Sequence, residues 1–109
     1  MCKFRTQVAK QFDLKTAVVA EHLWELCDIA SGYTTQYKHG EYWCRCSAIM
    51  ITGEFPFLTI HMAKYAIKRL RKNGVIKKGC FNENKFDHTS WYCFTEYGKK
   101  LMRAGCDYD

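Results

Sequence analysis

The longest regular pattern in the chain begins at Leu14, where apolar residues recur at steps of three and four. This spacing predicts an amphipathic first helix over residues 14–31. Asp13 precedes the helix as an N-cap, and Gly32 is suited to end it. Residues 1–13 have a mixed pattern that predicts no particular element.

Shorter patterns follow this helix. Residues 32–41 are mostly polar and predict a loop, whereas the alternation over residues 42–46 predicts a strand. Ser47 is placed to cap a short helix from Ala48 to about Glu54. Pro56 disfavours helical backbone angles at the residue before it, so the chain must turn there.

A second long amphipathic segment begins at Thr59, which is a good N-cap. The helix is predicted over residues 59–73, and Gly74 supplies the left-handed position that often follows a helix. Its basic last turns suit the negative end of the helix dipole. Its apolar face is formed by Ile60, Ala63, Ala66, Ile67 and Leu70.

The remaining segments predict a hairpin and a final helix. A strand extends from Val75 to about Phe81, and a polar loop covers residues 82–90. The returning strand is Trp91–Phe94. Thr95 then caps a helix over residues 96–104.

The order of these elements is helix, strand, helix, turn, helix, strand, loop, strand, helix. It predicts an α+β fold of the winged helix-turn-helix type, with a three-helix core, a small antiparallel sheet with one wing, and a C-terminal helix. One domain is expected over residues 1–109, with its core at about 14–97. The predicted core residues are Leu14, Val18, Leu23, Trp24, Ile49, Phe57, Ile60, Ile67, Leu70, Val75, Ile76 and Phe94.

Charge is distributed unevenly along the chain. The 109 residues include seventeen Lys and Arg against eleven Asp and Glu, for a formal charge of +6. No acidic residue occurs between Glu54 and Glu83, and that interval contains Lys64, Lys68, Arg69, Arg71, Lys72, Lys77 and Lys78. One-sided charge over such a length favours a polyanionic partner, the alternative being a basic surface that serves only solubility.

Two runs resemble bacterial winged-helix proteins. Residues 66–77 are similar to the end of a recognition helix passing into the wing, and residues 94–101 are similar to the exit from the wing. A narrower likeness lies in Gly40-Glu41-Tyr42-Trp43, in Glu54-Phe55-Pro56-Phe57-Leu58-Thr59, in Phe81-Asn82 and in Phe86-Asp87-His88-Thr89-Ser90-Trp91-Tyr92. These segments resemble the amino-terminal domains of phage replisome organisers and replication initiators. The resemblance covers residues 14–97 and implies a DNA-binding fold in a phage or mobile-element context.

The candidate nucleic-acid-binding residues come from the second long helix and the wing. Near the helix start, base or sugar contacts are expected from Thr59, His61, Met62, Lys64 and Tyr65. Phosphate contacts are expected from Lys68, Arg69 and Lys72, and wing contacts from Asn82, Asn84, Lys85 and His88. Two alternatives stay open, because Met62 and Tyr65 could pack against the wing or Phe57, and the wing could be an ordinary polar loop.

Other kinds of chemistry find little support in the sequence. Four cysteines fall on predicted strands (Cys44, Cys46, Cys80 and Cys93), but no pair has the usual spacing of zinc ligands, so buried free thiols are expected, with no metal and no cofactor. No phosphate loop, nucleophile elbow or pair of catalytic carboxylates is present, so the protein is not expected to be an enzyme.

The sequence also suggests where the protein acts and with what. It lacks a signal peptide and any run of about 18 apolar residues, which predicts reduced thiols in the bacterial host cytoplasm and no membrane contact. The leading hypothesis is a small protein that binds nucleic acid, duplex DNA above all, in replication or transcription control. A protein partner in the replication machinery and a homodimer are both compatible with it. The alternative is a phage-encoded inhibitor or adaptor that binds a host protein or ribonucleoprotein, such as a defence nuclease.

Overall fold

The structure is a computed structural model that describes residues 6–30, 32, 37–38, 40–81, 85–86 and 89–104. Within these residues the chain forms five helices and five short strands. In chain order they are α1 (Thr6–Gln11), α2 (Leu14–Ala30), β1 (Tyr37–Lys38), β2 (Glu41–Tyr42), β3 (Cys44–Arg45), α3 (Ala48–Glu54), α4 (Ile60–Lys72), β4 (Ile76–Gly79), β5 (Trp91–Phe94) and α5 (Glu96–Ala104).

The helix boundaries follow from local hydrogen bonds that the sequence predicted. Asp13 caps α2, since its Oδ1 accepts from the Thr16 N–H at 2.6 Å. Ser47 and Thr59 cap α3 and α4 in the same way. Gly74, with φ of 74°, ends α4, because the next N–H folds back onto the Leu70 carbonyl at 2.9 Å. The predictions for these four helix ends are confirmed.

The strands form two antiparallel sheets. The larger has the order β3-β5-β4, so the first of its strands in sequence pairs with the last. In its register Tyr92 lies between Cys44 and Lys78, while Ile76 pairs with Phe94. This α+β arrangement of helices around a three-stranded antiparallel sheet is compatible with the winged helix predicted from the sequence.

The structure differs from the predicted elements in four details. The described part of residues 32–41 is not only a loop, because β1 pairs with β2 in a small hairpin that turns at Gly40, with φ of 82°. Trp43 separates β2 from β3, so the strand expected over residues 42–46 is divided. The strand after α4 covers only Ile76–Gly79, and α1 lies where no element was predicted.

The main core lies where α2 and α4 pack together and against one face of the larger sheet. Six of the predicted core residues are buried there, namely Leu23, Ile67, Leu70, Val75, Ile76 and Phe94, and Val18 is buried outside this cluster. Trp24 is only partly buried and meets the ring of Phe94 edge-on at 5.0 Å. A smaller cluster packs Trp43 and Trp91 with Phe81.

Four predicted core residues are instead exposed. Leu14 and Ile60 are the first residues of their helices, and Ile49 is the second residue of α3. Side chains on a helix point toward its N-terminus, so these three project past the end of the packed surface, and Ile49 is 69% exposed. Phe57 lies in the turn between α3 and α4 and is 55% exposed, with its ring against that of Phe55.

Among the described helices, none combines the length and the apolar composition that crossing a bilayer requires.

Candidate nucleic-acid interface

Helix α4 has two clearly different sides. Its buried side is small and apolar, with Ala63, Ala66, Ile67 and Leu70 packed into the core. Its outward side carries His61, Lys64, Tyr65, Lys68, Arg71 and Lys72, all of them exposed. Thirteen residues give the helix a length of about 20 Å, with the cations spread along it. No acidic residue lies between positions 55 and 81, so no carboxylate of that segment neutralises this surface.

A groove lies along one flank of α4, and we call it the basic groove. Its cations are Lys64, Lys68 and Arg71, which share a side of the helix because they are four and three residues apart. The opposite wall is the junction of β3 with α3, together with the residues that enter β5. The groove has a volume of about 270 Å³, and its lining includes the hydroxyl-bearing residues Ser47, Thr89, Ser90 and Tyr92.

The chemistry of the basic groove suits phosphate oxygens. Ammonium and guanidinium groups donate charge-assisted hydrogen bonds, and hydroxyl groups are also frequent donors to a nucleic-acid backbone. At the edge of the groove the Arg45 guanidinium donates to Thr89 Oγ1 at 3.4 Å. No carboxylate is found among the described residues that line the groove. A negatively charged strand would therefore meet donors on both walls.

Arg69 lies on the opposite flank of α4 and has an intramolecular partner. Its Nη1 donates to Asp13 Oδ2 at 2.8 Å, and its guanidinium lies 5.4 Å from the centre of the Phe12 ring. Burial raises the pKa of Asp13, but the hydrogen bonds from Thr16 and the charge of Arg69 outweigh it, and the pKa is lowered. The ion pair thus ties α4 to the junction of α1 and α2.

The other predicted residues of α4 divide into packing and exposed positions. Thr59 Oγ1 accepts from the Met62 N–H at 3.1 Å, so Thr59 acts as the N-cap. Met62 is half-buried against the main core, which is neither of the packing partners expected for it, the wing and Phe57. Tyr65 is 59% exposed and lies with His61 on the outward side. These two side chains, with Lys68 and Lys72, form the outer ridge of α4.

The predicted wing residues are only partly described. Lys85 is exposed, and its ammonium lies 5.4 Å from the centre of the Phe86 ring. Asn82, Asn84 and His88 lie outside the described residues. The contribution expected from the wing therefore stays a prediction.

Sequence reasoning did not select Arg71 for this surface. It assigned the phosphate contacts to Lys68, Arg69 and Lys72, and it left out Arg71, which lies beside the apolar face on a helical wheel. Only the packing of neighbouring elements decides which flank faces a groove and which meets Asp13. One signal was available, since Lys64, Lys68 and Arg71 follow the spacing of a single helix side.

The described residues contain no group of three or more His, Cys, Asp and Glu side chains arranged to hold a metal ion. Searches of protein-family models, of curated proteins and of solved structures returned no match for this chain. The surface chemistry of α4 is therefore the strongest guide to function.

Proposed function

We propose that this protein is a winged helix-turn-helix protein that binds duplex DNA through α4 and the loop between β4 and β5. The observation that supports this most directly is the outward side of α4, with its exposed cations and the acid-free segment around it. The succession of α3, a turn, α4 and the β4–β5 hairpin fits the same proposal, as does the strand order β3-β5-β4.

In this proposal the outer ridge of α4 contacts the bases and the basic groove contacts the backbone phosphates. A helix about 20 Å long fits the major groove of DNA, and its first turns approach the base edges. His61 and Tyr65 lie on the outer ridge in this half of the helix, so they are the proposed base contacts. Lys68 and Arg71 lie farther along and line the basic groove, where they would hold backbone phosphates.

Arg69 takes a different role in this proposal. To bind a phosphate it would have to leave Asp13, and the carboxylate would then repel the backbone. We therefore propose that Arg71, and not Arg69, is the phosphate ligand of the last turns of α4. The biological setting proposed from the sequence resemblance is replication or transcription control by a phage or mobile element, without catalysis.

Binding to labelled random-sequence duplex DNA, measured by fluorescence anisotropy at several salt concentrations, tests the proposal. Three to five neutralised phosphates should give a log–log salt slope of about −3 to −5. Lys68→Ala and Arg71→Ala should each weaken binding and make the slope shallower by roughly 0.9. Lys100→Ala removes one exposed positive charge from α5 and is the matched control, which should bind as the wild type does.

The ridge residues have a separate test. Tyr65→Ala should alter preference among duplex sequences selected from a random pool, because loss of one base contact costs roughly 1–3 kcal/mol at a specific site. Its binding to random DNA should change little. An unchanged preference together with a lowered melting temperature would assign Tyr65 to packing instead.

A second candidate function is supported by the apolar side chains beside α4. Ile49, Met50, Phe57 and Ile60 are all exposed around α3 and the turn, and exposed apolar groups of this kind often mark protein interfaces. The protein would then act as an inhibitor or adaptor on a host protein or ribonucleoprotein. Failure to bind duplex DNA, single-stranded DNA and RNA at low salt would contradict the first proposal and favour this one.

A further inference from the structure

A second cavity lies away from α4, between the C-terminal half of α2, the β1–β2 hairpin and α5. Its volume is about 340 Å³, within the range of small-molecule pockets. Its aromatic walls are Trp24, Tyr37, Tyr42 and Phe94. Cys27 also lines it and is partly exposed.

The Cys27 thiol lies next to a second thiol, that of the buried Cys44 on β3. Cys27 Sγ is 3.6 Å from the carbonyl oxygen of Tyr92, the residue paired with Cys44 in the sheet. Cys44 Sγ is 3.9 Å from the carbonyl oxygen of Leu23, which lies one helical turn before Cys27. These contacts place the two sulfurs in the same interface between α2 and the larger sheet.

Two acidic and two basic side chains line the cavity, and Arg103 is the basic one that offers a contact to an anionic ligand. Glu41 is already paired with Lys99, whose Nζ lies 2.7 Å from Oε1, and Asp28 also takes part in an interaction of its own. Arg103 lines the cavity and makes no ion pair within the part of the chain that the structure describes. A small molecule with carboxylates would find this guanidinium beside the aromatic walls.

We propose that Cys27 is a site of thiol–disulfide exchange with small anionic disulfides of the glutathione type, and that Cys44 is its resolving thiol. The cavity admits the disulfide to Cys27, and Arg103 attracts its carboxylates. The product is a Cys27–Cys44 disulfide that links α2 to β3.

The exchange takes place in two balanced steps. The Cys27 thiolate, having given its proton to water, attacks one sulfur of the small disulfide. The disulfide bond breaks, and the first thiolate leaves and is protonated. The Cys44 sulfur then attacks Cys27 Sγ, the mixed disulfide breaks, and the second thiolate takes the Cys44 proton. The two cysteines are oxidised by two electrons, and the small disulfide is reduced to two thiols.

The surroundings of the thiols distinguish Cys27 from its neighbours. The hydrogen bond from Cys44 outweighs burial and lowers the pKa of Cys27. Burial raises the pKa of Cys46 to about 11 and that of Cys93 to about 12. Because the thiolate is the attacking species, Cys27 should react first, while these two stay reduced. The neighbouring Cys27 and burial raise the pKa of Cys44 as well, so Cys44 should attack only once Cys27 carries the mixed disulfide, and this second step should be the slower one.

The test incubates the folded full-length protein with glutathione disulfide and maps every cysteine by mass spectrometry of peptides. The wild type should lose two hydrogen atoms in a linked Cys27–Cys44 peptide pair. Exposed Cys80 should form only a mixed disulfide and serves as the internal standard. A Cys27 that stays reduced while Cys80 is modified would overturn the proposal, and so would a Cys27 linked to any other cysteine.

Two variants separate the steps and the ligand site. Cys44→Ser should accumulate the mixed disulfide at Cys27, whereas Cys27→Ser should leave Cys44 reduced. Arg103→Gln leaves both cysteines in place. It should slow the reaction at Cys27 several-fold with glutathione disulfide but not with uncharged hydroxyethyl disulfide. Equal slowing with both reagents would refute the role of Arg103, and this comparison needs no change at either cysteine.

Discussion

Gly98 allows a sharp prediction, because two physical effects on Gly98→Ala have opposite signs. Alanine is favoured over glycine inside a helix by about 1 kcal/mol, so helix propensity alone predicts a more stable protein. A Cβ at Gly98, however, would lie 1.9 Å from the Val75 carbonyl oxygen and 3.2 Å from Phe94 Cδ2. The Val75 carbonyl cannot withdraw freely, since it accepts the Thr95 N–H at 3.0 Å.

The clash should outweigh the gain in propensity. Overpacking against fixed neighbours costs about 1–3 kcal/mol, and contact with backbone places this case at the upper end. The net loss for Gly98→Ala is then about 2 kcal/mol, which corresponds to a melting temperature lower by roughly 8 °C in a domain of this size. Thermal and urea unfolding followed by far-UV circular dichroism would measure it.

Gly53 in α3 provides the matched control. A Cβ built there has no heavy atom within 4 Å, so Gly53→Ala should keep the propensity gain and stabilise the fold by about 0.4–1 kcal/mol. The reasoning would be refuted if Gly98→Ala were as stable as the wild type, or if both variants shifted stability in the same direction.

Three further substitutions test single interactions by urea unfolding. Asp13→Ala should lower the free energy of unfolding by about 1–2 kcal/mol, because it removes the cap of α2 and the ion pair with Arg69. The pKa of Asp13 is lowered in the folded protein, so this contribution should be present above a pH of about 4 and be lost as the pH falls further. An equal deficit at low pH would contradict it. Desolvation lowers the pKa of His22, so the free energy of unfolding of the wild type should decline as the pH drops below about 6.5. His22→Gln should make this dependence on pH weaker, and an identical dependence in both proteins would exclude His22 as its source. Thr95→Val should cost about 1–2 kcal/mol, because Oγ1 donates to the Gly74 carbonyl and accepts from the Gly98 N–H, and an unchanged midpoint would count against that role.

Local patterns in the sequence were sufficient to predict most of the elements. The limits of α4 follow from Thr59 as a cap and Gly74 as a left-handed stop, which act within a few residues of themselves. The strand Trp91–Phe94 and the final helix were predicted at the positions where they occur. The β1–β2 hairpin was missed because strands of two residues are too short to produce a periodic signal.

Periodicity identifies which residues share a helix side, but not which of them another element covers. Leu14 and Ile60 match the apolar stripes of their helices, yet they lie in first turns that project beyond the packed surface. The same limit applied to the candidate site. Lys68 could be chosen from the sequence, whereas the sequence did not show which of Arg69 and Arg71, on opposite flanks of α4, would face a groove.

The sequence by itself determined the succession of helices and strands and the excess of positive charge on α4, because both depend on neighbours in the chain. Only the tertiary structure decided that Arg69 meets Asp13, that Arg71 faces the basic groove, and that Cys27 meets Cys44. These pairings join residues many positions apart. Their partners depend on how the helices pack against the sheet, and that packing is determined by burial of the whole core and not by any local pattern.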